Sequence, residues 1–128
     1  FVGDGPERQH LEDTARHLRV TDNVVFHGHV TRTKLLEILA TGDIFAMHTL
    51  HEAFGLVYLE AMAHEKPCIA GNIDAAKEVV LHGKTGFCVD PKNINELADC
   101  LFLLLTNFYI IQTIDISINL IRVLHSHM

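Results

Sequence analysis

The chain has 128 residues, enough for one domain with a real hydrophobic core and too few for two ordinary ones. Hydrophobic residues make up 48% and charged residues 20%, and the formal net charge of -6 leaves no basic face. That balance argues against binding nucleic acid or anionic lipid, and no stretch reaches the roughly 18–20 apolar residues of a membrane span.

Short apolar runs alternate with longer periodic segments. Phe1-Val2 runs into Gly3-Asp4-Gly5-Pro6, a strand end followed by a tight turn. Pro6 suits the first turn of a helix carrying Leu11, Ala15 and Leu18 at helical spacing. Asn23-Val24-Val25-Phe26 reads as the next strand, and Thr31 or Thr33 can cap a helix through about Ala40, with Leu35, Leu36 and Leu39 inward. Asp43 to Met47 is a third strand, followed by a helix from Gly55 to Ala63 and a fourth strand at Pro67 to Ala70. A helix over Asp74 to Leu81 precedes a fifth strand, Gly86 to Val89. Asn93 or Asn95 then starts a helix holding Leu97, Leu101 and Leu104.

Apolar strands separated by helices indicate an α/β domain, a Rossmann-like doubly wound parallel sheet covered on both faces. Residues 1–106 form this domain. Residues 107–128 differ, holding six of the eleven isoleucines and only Asp115 and Arg122 as charges. Their spacing fits a strand or a helix, and the tail is read as helical. The start at Phe1, inside a strand-like run and with no leader, reads as that of a fragment, and the expected location is cytoplasmic.

Cys68, Cys88 and Cys100 are an odd set without a short pairing and are expected to be reduced thiols. The ten histidines include the pairs His27/His29, His48/His51 and His125/His127, but no pair has a third ligand at a recognisable spacing, so no metal is expected. Gly3-Asp4-Gly5 lacks the third glycine of a dinucleotide fingerprint, because position 8 is Arg8.

In doubly wound sheets ligands collect at the carboxyl ends of the strands. The most informative such end is His51-Glu52-Ala53-Phe54-Gly55-Leu56-Val57-Tyr58-Leu59-Glu60-Ala61-Met62-Ala63. From Gly55 to Ala63 nearly every position is apolar, so the helix is expected to be buried all round, with Glu60 as its one carboxylate. Free amides near Phe54, Gly55 and Leu56 would form an anion site, and Gly55 lets a phosphate approach the backbone. Glu52 and Glu60 flank that point and suit neutral hydroxyls, the second a vicinal diol. Phosphate between two hydroxyl-binding acids describes a nucleoside diphosphate sugar. The same acids also fit a structural role, with Glu52 capping the helix and Glu60 neutralised by Lys66, Lys84 or a histidine.

The Glu-x7-Glu element from Glu52 to Glu60 resembles the signature of family 4 glycosyltransferases. Three other segments agree in order and spacing: Val2 to Arg8, Asn23 to Val30, and Lys66 to Pro91. The paired glycines usual in the last segment are replaced by Ala75-Ala76. The resemblance covers about residues 1–105 and implies the donor-binding C-terminal half of a GT-B fold. It implies that Glu52, the catalytic candidate, contacts the donor sugar's hydroxyls and that Glu60 holds the ribose diol. The diphosphate would lie on amides around Phe54, Gly55 and Leu56, the nucleobase against Gly28, His29 and Val30, and the cleft floor at Gly3 to Gly5. It further implies transfer of a hexosyl unit with retention from a UDP- or GDP-sugar, without a cofactor or required metal. The acceptor-binding N-terminal domain is absent from the chain, so the fragment is expected to be inactive alone.

Overall fold

The computed structural model describes residues 1–48, 55–72 and 75–107. The elements are α1 (Arg8–His17), a 3-10 turn (Thr21–Asn23), α2 (Arg32–Thr41), β1 (Phe45–Met47), α3 (Leu56–Ala63), β2 (Cys68–Gly71), α4 (Ala76–Val79), β3 (Gly86–Val89) and α5 (Ile94–Thr106). The tail read as helical lies, from residue 108, outside the described residues. The chain divides into two compact units, residues 1–38 and 39–128.

The second unit holds a parallel sheet in the order β1-β2-β3, with Phe45 opposite Cys68 and Ile69 opposite Phe87. Register and the two-residue period of a strand show how the faces are covered. Ile69, Phe87 and Val89 share one face, and Leu97, Cys100, Leu101 and Leu104 of α5 join their cluster. On the other face lie Phe45, Cys68 and Cys88. The Phe45 ring meets Tyr58 of α3 edge-on at 5.6 Å, and the thiols of Cys68 and Cys88 donate to the carbonyls of Tyr58 and Val80 at 3.8 and 3.0 Å. Helices therefore cover both faces, as the continuous apolar strands implied, and all four residues of β2 are buried.

Caps resolve the open helix starts. Thr31 Oγ1 accepts from the Lys34 amide at 3.2 Å, so Thr31 rather than Thr33 caps α2. Asn93 Oδ1 accepts from the Glu96 amide at 3.2 Å, so Asn93 rather than Asn95 caps α5, and the Glu96 carboxylate accepts from the Asp90 amide at 2.8 Å. The outer edge of β3 is closed by its own approach loop. Gly83 N–H donates to the Gly86 carbonyl at 2.8 Å, and Cys88 N–H donates to Nδ1 of His82 at 3.1 Å.

Several expectations are corrected. The runs at Phe1-Val2 and Asn23–Phe26 do not form regular strands; just beyond them stands one isolated antiparallel bridge, Gly3 to Gly28. Phe1 N donates to Val25 O at 2.6 Å and Phe1 O accepts from His27 N at 2.9 Å, the slanted pattern of a parallel pair. Gly3 then turns away, and two residues are too few to extend a ladder. In α1 only Ala15 is buried, while Leu11 and Leu18 are 40% and 62% exposed. The helix has too few apolar neighbours in its own unit to bury a full stripe. The expected start of α4 at Asp74 lies outside the described residues, and the helix, Ala76–Val79, stops short of Leu81 because Val80 turns extended at φ -95°, ψ 105°. Finally, α3 is not buried all round: Tyr58, Ala61 and Met62 are, but Leu56 is 65% exposed.

Candidate functional site

The α3 start is set by Gly55, which is buried at φ 63°. A Cβ there would lie 3.1 Å from Val79 Cγ2 and 3.3 Å from Tyr58 Cδ2, so both conformation and space demand glycine. The Tyr58 hydroxyl donates to the Met47 carbonyl at the carboxyl end of β1, which ties the first turn of α3 to that strand end. No acid stands in this first turn, so the helix dipole faces no carboxylate from α3 itself. Leu56 at the first helical position is exposed and Glu60, four residues on, is half-buried. Gly55, Leu56 and Glu60 are thus brought onto one short element. Glu52 and Phe54 lie outside the described residues, as do His51 and the histidines of the tail.

The first unit holds the other candidates. Gly3 (φ 112°) and Gly28 (φ 66°) pair through the Gly3 amide, which donates to the Gly28 carbonyl at 2.8 Å. Both conformations favour glycine. Gly5 has an ordinary φ, and its amide is held at 2.9 Å by Asp4 Oδ1. Gly3 and Gly5 line an open hollow of about 350 Å³ that Arg8 and Phe26 share. His29 is exposed and Val30 half-buried.

Sequence reasoning gave no role to Arg8. Its Nε donates to Glu12 Oε1 at 2.8 Å, its Nη1 lies 3.4 Å from Asp4 Oδ2, and its Nη2 makes a long 3.5 Å contact with the Phe26 carbonyl. The Glu12 hydrogen bond, with smaller help from Asp4, raises the guanidinium pKa. The signal was present: acids stand four residues before and four after Arg8.

A second hollow of about 540 Å³ lies beside β3, lined by Asn72, Lys77, His82 and Lys84 among others, none of them a donor-binding candidate. Among the described residues no group of three or more His, Cys, Asp or Glu converges as a metal site. All three cysteines are free thiols. Burial pushes the Cys68 thiol up to about 12 and raises Cys88, while Cys100 is raised by burial and by Glu96 and Asp99 nearby.

Comparison with known proteins identifies the family and the fold. Residues 1–108 match the family of glycosyl transferases group 1. The chain is 39% identical over 112 residues to a GDP-mannose-dependent alpha-(1-6)-phosphatidylinositol monomannoside mannosyltransferase of Mycobacterium tuberculosis, covering 82% of this chain and 29% of that protein. It is 36% identical over 99 residues to the N-acetyl-alpha-D-glucosaminyl L-malate synthase of Bacillus anthracis, covering 77% of this chain and 26% of that one. The chain therefore spans between a quarter and a third of the length of these relatives. Among solved structures, Anabaena HepE in complex with UDP and glucose superposes with a TM-score of 0.81 at 30% identity, over 91% of this chain and 32% of that one. The fold is α/β and similar to GT-B glycosyltransferases. With its sheet, its glycine-started α3 and its match over residues 1–108, the chain belongs to the glycosyl transferases group 1 family.

Proposed function

We propose that residues 1–106 are the donor-binding part of a retaining, metal-independent hexosyltransferase of family 4, taking a UDP- or GDP-sugar. The observation that carries the reading is Gly55, held left-handed and fully packed at the start of α3, where a helix begins beside the end of β1. Amides at Phe54 to Leu56 are assigned the diphosphate, whose charge the helix dipole offsets without a metal ion. Glu60 accepts from the ribose diol and Glu52 from the sugar's hydroxyls, the latter at the reacting end of the donor. Gly28 to Val30 lie against the nucleobase and Gly3 to Gly5 form the floor. A relative that is GDP-mannose-dependent and a neighbour solved with UDP and glucose support a nucleotide-sugar donor.

The Ala75-Ala76 pair, standing where the family usually has paired glycines, favours a second reading, a degenerate nucleotide-binding or regulatory domain without transfer. Acceptor binding is assigned to sequence outside the chain. Calorimetric titration with UDP and GDP tests the first reading: saturable binding of one of them is expected, and Glu60→Ala lowers it about tenfold, by loss of a charge-assisted hydrogen-bond pair. Absence of binding by the wild-type chain at saturating nucleotide overturns it. Sugar transfer by the purified 128-residue chain would overturn the assignment of inactivity.

A further inference from the structure

The geometry points to Arg8 as a positioning residue that fixes the loop Gly28-His29-Val30 for the nucleobase; this rests on the donor-binding reading above. The guanidinium is held on its own helix by Glu12 at 2.8 Å and meets Asp4 at 3.4 Å. From there it reaches the other loop at two points. Its Nη2 lies 3.5 Å from the carbonyl of Phe26, two residues before Gly28. Its Nη1 lies so close to Gly28 that a Cβ there would stand 3.0 Å from it, with Asp4 Oδ2 at 3.8 Å.

The arrangement is reciprocal. Gly28 leaves the space that Arg8 fills, and Arg8 prevents the backbone at φ 66° from relaxing towards the first loop. Asp4 serves both sides, since one of its oxygens accepts from the Gly5 amide and the other faces Arg8. The Gly3 amide then fastens the Gly28 carbonyl at 2.8 Å. The loops at 3–5 and 28–30 are thus joined through one planar cation whose three nitrogens each face a different oxygen. A lysine cannot reproduce this, because its ammonium is a point charge rather than a fork. Arg8 touches no part of the nucleotide in this scheme; it acts by sparing the loop the cost of becoming ordered when the base arrives.

The test compares nucleoside diphosphate with inorganic pyrophosphate on the 128-residue chain. Arg8→Ala and Arg8→Lys are both expected to lower affinity for UDP or GDP about tenfold, the loss for a loop that must order on binding, and to leave pyrophosphate affinity unchanged. Glu12→Gln, which keeps the side chain's shape, is expected to show a smaller loss of the same kind. In the unliganded chain, the amide resonances of Gly28, His29 and Val30 shift in both Arg8 variants, and this readout stands even if an affinity cannot be measured. Wild-type affinity in Arg8→Lys, equal losses for nucleotide and pyrophosphate, or unmoved resonances would each overturn the proposal. A wild-type chain that binds neither UDP nor GDP would instead sink the donor-binding reading, which the resonances do not address.

Discussion

The two units of the chain are held by different forces. From Leu39 onward, Tyr58, Met62, Ile69, Val80, Val89 and Leu104 are sealed from solvent, packed on both faces of a sheet. In residues 1–38 the buried apolar side chain is Ala15, while Phe1, Leu18 and Val25 are 67%, 62% and 60% exposed. Apart from the stacked rings of Phe1 and Phe26, the fastening there is polar: Arg8 with Asp4 and Glu12, Arg16 with Asp13 at 2.7 Å, and Gly3 with Gly28. Buried area stabilises at about 25 cal/mol per Å², whereas an exposed ion pair contributes roughly 0–1 kcal/mol. Stability therefore concentrates in the sheet, and the first unit relies on polar contacts to hold its loops.

The largest test of this contrast is Gly86→Ala. A Cβ at Gly86 would lie 2.1 Å from the Cys68 carbonyl oxygen, so β2 and β3 would have to part, at a cost of about 3 kcal/mol or more. Chemical denaturation measures it, and a loss below about 1 kcal/mol would contradict the tight strand contact. Ile69→Ala follows, with an expected loss of about 3 kcal/mol from a fully buried site. Gly3→Ala is expected to lose about 1–2 kcal/mol, because nothing crowds its Cβ and only the φ of 112° opposes it. Val25→Ala, at 60% exposure, should change stability by less than about 0.5 kcal/mol. If Val25→Ala proved as damaging as Ile69→Ala, the division between the units would be wrong.

Titration sharpens the same point within the second unit. Cys68 has a folded pKa of about 12 against an ordinary value of 9.0, so the folded state holds its proton more tightly. The stability this contributes is complete below pH 9 and is lost as pH rises from 9 towards 12. Cys68→Ser should flatten that part of the pH-stability curve. At pH 8, iodoacetamide should modify Cys100 in the native chain long before Cys68, which mass spectrometry of digests resolves.

The sequence was most legible where period and turn chemistry agreed. Gly86–Val89 was placed to the residue, and α2, α3 and α5 to within a residue or two, since caps and leucine spacing mark their ends. It misled at Asn23–Phe26, whose β-branched and aromatic composition suits a strand; composition does not supply the partner ladder. It overstated α3, because an apolar helix reads as fully buried whether or not Leu56 has a neighbour. At the site, Gly55 was legible as a helix-start glycine, though its need for space against Val79 is a tertiary fact. Arg8 was overlooked because its acids at four-residue spacing look like ordinary surface pairing, and only the fold brings it against Gly28.

The closed flank of β3 has a consequence for how copies of the chain meet. A strand with free peptide groups along its side invites a neighbour to dock and extend the ladder, the first step towards fibrils. Here the loop that leads into β3 folds back over it, and the imidazole of His82 occupies the peptide hydrogen of Cys88 while Gly83 occupies the oxygen of Gly86. At this flank the protein is its own terminator, so His82→Ala is the change expected to turn a self-limited sheet into an adhesive one.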